Sequence, residues 1–246
     1  MSSAALLSLA LVLAAGTPPA PPVLVELFTS EACDNCPAQE EALARLARDA
    51  GPGAPLVPLA FHMDAYDSLG WKDRFGSEEA TRRQRRYNSV HNHGKLFAPQ
   101  LVVDGTRSFL ADAERARVQA ADAATFPKLP LRLSTRVEKD TLVVEVGLDK
   151  PPEDEAEVWV ALAEDGLVSR VTAGPNKGRT LTHTATVRLW KVLPPPTASG
   201  GGFTTGGRLK LEPGWKRERM RVVVALQKPW GGRIEGLASG TLPSRP

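Results

Sequence analysis

The chain has 246 residues, of which 42% are hydrophobic and 24% charged, and its formal net charge is +3. This length suits one large domain or two ordinary ones, and the composition is typical of a folded globular protein rather than a disordered or fibrous one. So small a net charge gives no reason to expect nucleic acid as a partner.

The N-terminus contains a short apolar run. Residues 4–15 read AALLSLALVLAA, and Gly16 and a proline-rich stretch follow. A membrane-spanning helix needs about 20 apolar residues, so this run is too short to be one. It fits the apolar region of a secretory signal, with Ala14-Ala15-Gly16 as the cleavage site. We therefore expect residues 1–22 to be signal peptide and linker, the protein to be periplasmic or secreted, and no stable membrane insertion after cleavage.

The only two cysteines of the chain lie between a predicted strand and a predicted helix. The apolar stretch 23–28 leads into Cys33-Asp34-Asn35-Cys36, and a helical pattern of leucines and alanines follows. A thiolate at a helix N-terminus is stabilised by the dipole and by unpaired backbone N–H groups. A purely structural disulfide across so short a loop would contribute only about 2 kcal/mol. A redox-active dithiol is therefore favoured over a passive disulfide or a metal ligand pair.

The next hundred residues alternate helices and strands. The helix after the cysteines is expected to end near Gly51, and Ser77 has the sequence context of a helix N-cap. Asp104-Gly105 predicts a hairpin turn. The arginines at 82, 83, 85 and 86 are interpreted as a solvated helix face. The predicted order is β-α-β-α-β-β-α: strand 23–28, a helix after the cysteines, strand 56–63, a helix from Ser77, strands 100–103 and 106–110, and helix 112–125.

The remaining chain has the period-two alternation of β-strands. Examples are residues 142–148 and 220–227, with turn-forming residues between such runs. The fold class predicted is thus an α/β domain over residues 23–126, followed by an all-β, sandwich-like domain over residues 127–246. Residues 193–207 are so rich in Pro and Gly that we expect a long mobile loop there.

This element order, the CxxC before the first helix and Pro99 before the third strand resemble a thioredoxin fold. The string 25–30 (VELFTS) followed by Cys33, Cys36 and Pro37 is similar to a family of exported bacterial thioredoxin-like proteins of uncharacterised function. Further similar stretches occur at 60–62, 69–73, 99–105, 163–168 and 176–183. Thioredoxins proper have Gly-Pro between the cysteines and Trp before them. Here Asp34-Asn35 and Ala32 take those places, and the charge of Asp34 opposes thiolate formation.

The resemblance implies roles for several residues. Cys33, nearer the solvent, attacks a disulfide of a protein or small-molecule partner, and Cys36 resolves the mixed disulfide. Pro99 is expected to be a cis-proline that faces the dithiol, with the backbone at Ala98 available to an extended substrate. Trp71 is expected to rim the dithiol as a substrate platform, the alternative being a partly buried core residue.

Glu26 is the one charged residue on the otherwise apolar first strand. Buried beneath the helix, it would accept the proton of the resolving thiol. If the strand turns it to an edge, it is simply solvated.

Two other functions remain open. His62, His91 and His93 together with the thiolates could bind copper or zinc, although their spacing matches no standard zinc pattern. Alternatively, the β domain binds a partner protein and the CxxC stays oxidised. The sequence favours an exported thiol–disulfide oxidoreductase that needs no cofactor and has no assigned metal ligand. His183 is given no role, and no oligomeric state is assigned.

Overall fold

The structure is a computed structural model that describes residues 20–48, 55–152 and 155–242. The predicted signal peptide lies outside the described residues, apart from the last part of its linker. No helix within the described ranges combines the length and the apolar character needed to cross a bilayer.

The first half of the chain has the predicted order of elements. The predicted N-cap is present, because the Ser77 side chain accepts a hydrogen bond from Ala80 N. Asp112 caps the last helix in the same way and accepts a hydrogen bond from Arg115 N. The elements are β1 (Val23–Thr29), α1 (Cys36–Arg48), β2 (Leu56–His62), α2 (Glu78–His91), β3 (Gln100–Val103), β4 (Arg107–Leu110) and α3 (Ala113–Ala123), with a 3₁₀ helix at Asp64–Leu69 before α2.

The second half is built from strands, as predicted. They are β5 (Leu131–Glu138), β6 (Thr141–Leu148), β7 (Glu157–Glu164), β8 (Leu167–Arg170), β9 (Thr180–His183), β10 (Thr186–Val192), β11 (Thr197–Ser199), β12 (Gly202–Lys210), β13 (Met220–Gln227) and β14 (Ile234–Thr241). The prediction of a long loop over residues 193–207 is wrong, because β11 and most of β12 fall there.

One sheet runs through both halves. Its eight strands lie in the order β14-β13-β7-β10-β2-β1-β3-β4. The halves meet where β10 lies parallel to β2, and Ala60 N donates a hydrogen bond of 2.8 Å to Ala185 O. The molecule is therefore mixed α/β, and the two predicted domains share a sheet.

The two faces of β1 are buried against different neighbours. Val23, Val25 and Leu27 pack in one cluster with Leu43 and Leu46 of α1. Leu24 and Phe28 pack on the other face, in a cluster that includes residues of α2 and of the C-terminal strands. Alternation along β1 thus decides which residues can lie beneath α1.

A second sheet packs on the part of the large sheet that contains β7 and β13. Its strands lie in the order β11-β12-β6-β5. Apolar residues of β6 and β12 form one buried cluster with those of β7 and β13, so the two sheets pack against each other.

Candidate functional site around the cysteine pair

Cys33 and Cys36 form a disulfide at the start of α1. Their Cα atoms are 5.4 Å apart, and Cys36 is the first residue of the helix. Cys33 is only 6% exposed and Cys36 is fully buried, whereas Asp34 and Asn35 between them are exposed. Cys33 is therefore much less open to solvent than the sequence predicts, although it remains the more accessible of the two.

The loop between β8 and β9 contacts the segment that carries Cys33. Asn176 in that loop is buried, and its Nδ2 donates hydrogen bonds of 2.8 Å to Glu31 O and 2.9 Å to Cys33 O. Arg179 Nη1 in turn donates to Asn176 Oδ1 over 2.8 Å. Because this loop belongs to the second half of the chain, local sequence around the cysteines gives no indication of it.

Pro99 has the predicted backbone conformation. The Ala98–Pro99 peptide bond is cis, and Pro99 O accepts a hydrogen bond of 3.0 Å from Ala111 N. Ala98 is half-buried and packs against the core cluster that contains Phe28. The roles of Pro99 and Ala98 towards a substrate stay predictions.

Trp71 lies beside the segment that leads into the cysteines. It is partly buried, and its Nε1 donates a hydrogen bond of 2.7 Å to Glu31 Oε2. Its backbone and Cβ lie close to Gly174 in the β8–β9 loop. Trp71 therefore contacts Glu31, two residues before Cys33, and its role as a substrate platform stays a prediction.

Glu26 is buried, but it lies on the opposite face of β1 from α1. It alternates with Val25 and Leu27, which pack beneath α1, so its side chain points towards α2. There it accepts a hydrogen bond of 2.7 Å from Arg83 Nε and a second from the Tyr87 hydroxyl. The expectation that Glu26 lies below the dithiol is thus wrong, because the strand's period of two turns it away.

Arg83 is correspondingly not on a solvated face. Its side chain is 3% exposed, and it donates from Nη2 to Tyr87 Oη at 3.0 Å and to Gln227 Oε1 at 3.2 Å. Trp159 Nε1 also donates to Gln227 Oε1, over 2.8 Å. This charged group therefore joins α2 to β1, β7 and β13. The other three arginines of the run are exposed or partly exposed, as predicted.

A buried cluster of histidines and carboxylates lies on the cysteine side of the sheet. Glu40 of α1 accepts hydrogen bonds from Thr29 Oγ1 at 2.7 Å and from His183 Nδ1 at 2.6 Å. The other ring nitrogen of His183, Nε2, is 3.1 Å from Glu31 Oε1. Burial alone would lower the pKa of His183, but Glu31 and Glu40 outweigh it and raise that pKa to about 9. Burial likewise opposes ionisation of Glu40, yet the two nearby imidazoles leave its pKa below the usual value.

His62 completes the cluster from the end of β2. Its Nδ1 is 2.7 Å from Asp73 Oδ2, and its Nε2 is 3.9 Å from Glu40 Oε1. Its ring meets that of His183 edge-on, with centroids 4.9 Å apart. Burial tends to lower the pKa of His62, but Asp73 and Glu40 raise it above the usual value. Asp73 is also buried, yet the nearby His62 lowers the pKa of its carboxyl.

The cluster combines one predicted metal-binding candidate with residues that sequence reasoning missed. Glu40, His62 and His183 each offer a ligand atom within 4.8 Å of the others. His91 instead lies 3.1 Å from Gly105 O, and His93 is exposed. Two features of the sequence could have indicated the missed residues: Glu40 is four residues after Cys36 on the same helix face, and His183 ends a stretch for which a family resemblance is noted above.

These features define a mixed α/β protein with a CxxC disulfide at the start of a helix and a buried carboxylate–imidazole cluster beside it. Residues 24–227 match the family described as "Protein of unknown function (DUF1223)". The chain belongs to that family. No match is found among curated protein sequences.

Two solved structures are similar to this one. The first is protein AGR_C_4864 from Agrobacterium tumefaciens, with a TM-score of 0.66 and 23% identity over 91% of this chain and 96% of that one. The second is HBP35 of Porphyromonas gingivalis, with a TM-score of 0.66 and 15% identity over 91% of this chain and 76% of that one. At these identities the likeness concerns the fold alone.

Proposed function

We propose that the protein is an exported thiol–disulfide oxidoreductase whose first half is a thioredoxin-like unit. The observation that carries the proposal is the disulfide between Cys33 and Cys36 across the first turn of α1. A helix N-terminus favours the thiolate form of the cysteine that precedes it. The element order over residues 23–123 and the cis bond before Pro99 also support this proposal.

In the proposed reaction, the Cys33 thiolate attacks a partner disulfide. A bond forms between the two sulfurs, the partner's disulfide breaks, and one partner thiolate leaves. The Cys36 thiolate then attacks Cys33, which releases the second partner thiolate and restores the protein disulfide. Two electrons pass from the protein to the partner, or in the reverse direction when the protein oxidises a dithiol. The unequal exposure of the cysteines supports this division of roles.

The apolar run over residues 4–15 supports export to the periplasm or beyond. In such a compartment the oxidised form prevails at rest, so a reductant has to supply electrons if the protein acts as a reductase.

The proposal is tested with the two single-cysteine variants and oxidised glutathione. Cys36→Ser keeps the attacking thiol, so we expect a stable mixed disulfide that mass spectrometry detects. Cys33→Ser retains only the fully buried cysteine, so we expect its mixed disulfide with glutathione to form slowly. We also expect this variant to be unable to reduce a peptide disulfide, which the reduced wild type does. Disulfide exchange in Cys33→Ser at the wild-type rate would overturn the proposal.

A second candidate function is favoured by the near-complete burial of both cysteines. With Cys33 6% exposed and Cys36 fully buried, the disulfide could fix the start of α1 in a protein-binding module. In that case the wild-type disulfide would resist reduction by glutathione under native conditions. Loss of both cysteines would lower the stability of the protein, and neither the wild type nor the variant would exchange disulfides.

A further inference from the structure

We propose that Glu40, His62 and His183 form a binding site for one Zn²⁺ ion. The three residues come from α1, β2 and β9, which are far apart in the sequence, and their ligand atoms lie within 4.8 Å of one another. Two imidazole nitrogens and one carboxylate oxygen are a ligand set that zinc takes in proteins, with a fourth position left for another group.

The orientation of the imidazoles supports the site. One ring nitrogen of each histidine lies at hydrogen-bonding distance from a carboxylate that is not among the three proposed ligands. His62 Nδ1 is 2.7 Å from Asp73, and His183 Nε2 is 3.1 Å from Glu31. Each thereby turns its remaining nitrogen towards Glu40. Histidines that ligate a metal almost always bind a second group in this way, because it fixes the tautomer and the ring orientation.

The supporting carboxylates are themselves held in place. Asp73 accepts hydrogen bonds of 2.8 Å from the backbone N–H groups of Glu31 and Phe75. Glu31 accepts one of 2.7 Å from Trp71 Nε1. The surroundings of the two imidazoles are therefore preorganised, as metal sites require.

One polar atom of the cluster lacks a partner. His62 Nε2 is fully buried and has no hydrogen-bond partner among the described residues. It lies 3.9 Å from Glu40 Oε1, too far for a hydrogen bond. Leaving a buried nitrogen without a hydrogen-bond partner is unfavourable. A zinc ion between these atoms would satisfy it.

Charge and size also suit a divalent cation. Glu31, Glu40 and Asp73 place three carboxylates in a buried space with only two imidazoles. Zinc would replace imidazole protons, because only the neutral ring ligates a metal. Zinc–ligand bonds of about 2.0–2.2 Å separate tetrahedral ligand atoms by roughly 3.4 Å. Side-chain rotations would bring the atoms to that spacing by opening the 2.6 Å hydrogen bond between His183 and Glu40.

A cleft provides a route to the cluster. It has a volume of about 350 Å³, and His62 and Phe75 are part of its lining. The Phe75 ring meets both imidazoles edge-on, with centroid distances of 5.5 Å to His62 and 5.3 Å to His183. Two arginines and two glutamates also line the cleft. Rotation of Phe75 would open the cluster to an entering ion.

The test is a Zn²⁺ titration of metal-stripped full-length protein with the disulfide intact, so that no thiolate can ligate the metal. We expect one Zn²⁺ per chain by competition with a chromophoric chelator. Asp73→Asn should weaken binding about 10–100-fold, and His62→Gln or His183→Gln by more than that. His91→Gln, which alters a histidine outside the cluster, should bind as the wild type does.

Absence of stoichiometric binding by the wild type, or equal binding by His183→Gln and His91→Gln, would overturn the proposal. If a cluster variant fails to fold, Co²⁺ bound to the wild type with both cysteines reduced decides. Ligand-field bands of a four-coordinate ion that persist in a Cys33→Ser/Cys36→Ser double variant support the site. Loss of these bands in the double variant would place the metal at the cysteines and refute it. The double variant has no exchange activity, so this result is independent of the proposed redox function.

Discussion

The buried ion pair between Glu26 and Arg83 allows a quantitative test of how α2 is held against the large sheet. The Glu26 side chain is fully buried and that of Arg83 is 3% exposed. Arg83→Met would leave the Glu26 carboxylate buried with the Tyr87 hydroxyl as its remaining hydrogen-bond donor among the contacts described above. Breaking one side of such a pair costs about 3–5 kcal/mol. That is a large part of the 5–15 kcal/mol by which domains are typically stable.

The measurement is urea-induced unfolding of the wild type and of four variants: Arg83→Met, Arg82→Met, Glu26→Leu and the double variant Glu26→Leu/Arg83→Met. Arg83→Met should lower the free energy of unfolding by about 3–5 kcal/mol. Arg82→Met is the matched control: Arg82 is one residue away, and its ion pair with Glu78 is exposed, so we expect a loss below about 0.5 kcal/mol. The double variant Glu26→Leu/Arg83→Met should lose less than the sum of the two single changes, because no uncompensated charge remains. A loss below about 1 kcal/mol in Arg83→Met, or additive effects in the double variant, would refute the reasoning.

Two further predictions concern the loop between β8 and β9. Asn176→Ala should cost about 1–3 kcal/mol for the Glu31 carbonyl, which loses its donor, whereas the Cys33 carbonyl keeps its hydrogen bond from Cys36 N. The same variant should speed alkylation of reduced Cys33. Unchanged alkylation would mean that this contact does not limit access. Gly174 has a φ of 70°, and a Cβ there would lie 2.9 Å from the Trp71 Cβ. Gly174→Ala should therefore destabilise the protein through this steric clash as well as through the backbone strain of an alanine at positive φ. Gly178→Ala is the control, with a φ of 86° but no atom within 4 Å of its Cβ. Equal losses of unfolding free energy in the two alanine variants would contradict the predicted clash.

The sequence predicts the local elements well because short-range chemistry determines them. Ser77 caps α2 through its own side chain. Asp104 and Gly105 have φ values of 48° and 74°, which is the positive-φ pair that a two-residue hairpin turn needs. Both features are already specified by residues within the same turn, although Asp104 also accepts a hydrogen bond of 3.1 Å from Leu24 N.

The Pro- and Gly-rich segment was wrongly predicted because its glycines serve close packing. A Cβ at Gly206 would lie 2.3 Å from Val144 O, and one at Gly202 would lie 2.6 Å from Leu148 O. Both glycines lie on β12 against β6, where the backbones approach too closely for any side chain. The same composition in isolation is typical of a flexible linker, so only the tertiary partner distinguishes the two.

The cysteines and His62 were predicted as candidate site residues, whereas His183 and Glu40 were missed for a similar reason. The cysteine pair is a local motif, whereas His183 meets Glu40 across 143 positions of sequence. Whether Glu26 lies beneath α1 depends on which face of β1 the helix covers. A strand that is apolar on both faces does not reveal this. Long-range contacts of single polar residues leave no periodic pattern that the sequence alone could show.

The proposed redox function depends on whether the Cys33–Cys36 disulfide exchanges under physiological conditions. The direct measurement is its reduction potential, obtained by equilibrating the native protein with dithiothreitol buffers and counting free thiols by alkylation and mass spectrometry. An exchanging pair should have a potential above about −300 mV. A value well below that would mark a permanent structural bridge and contradict the proposed function.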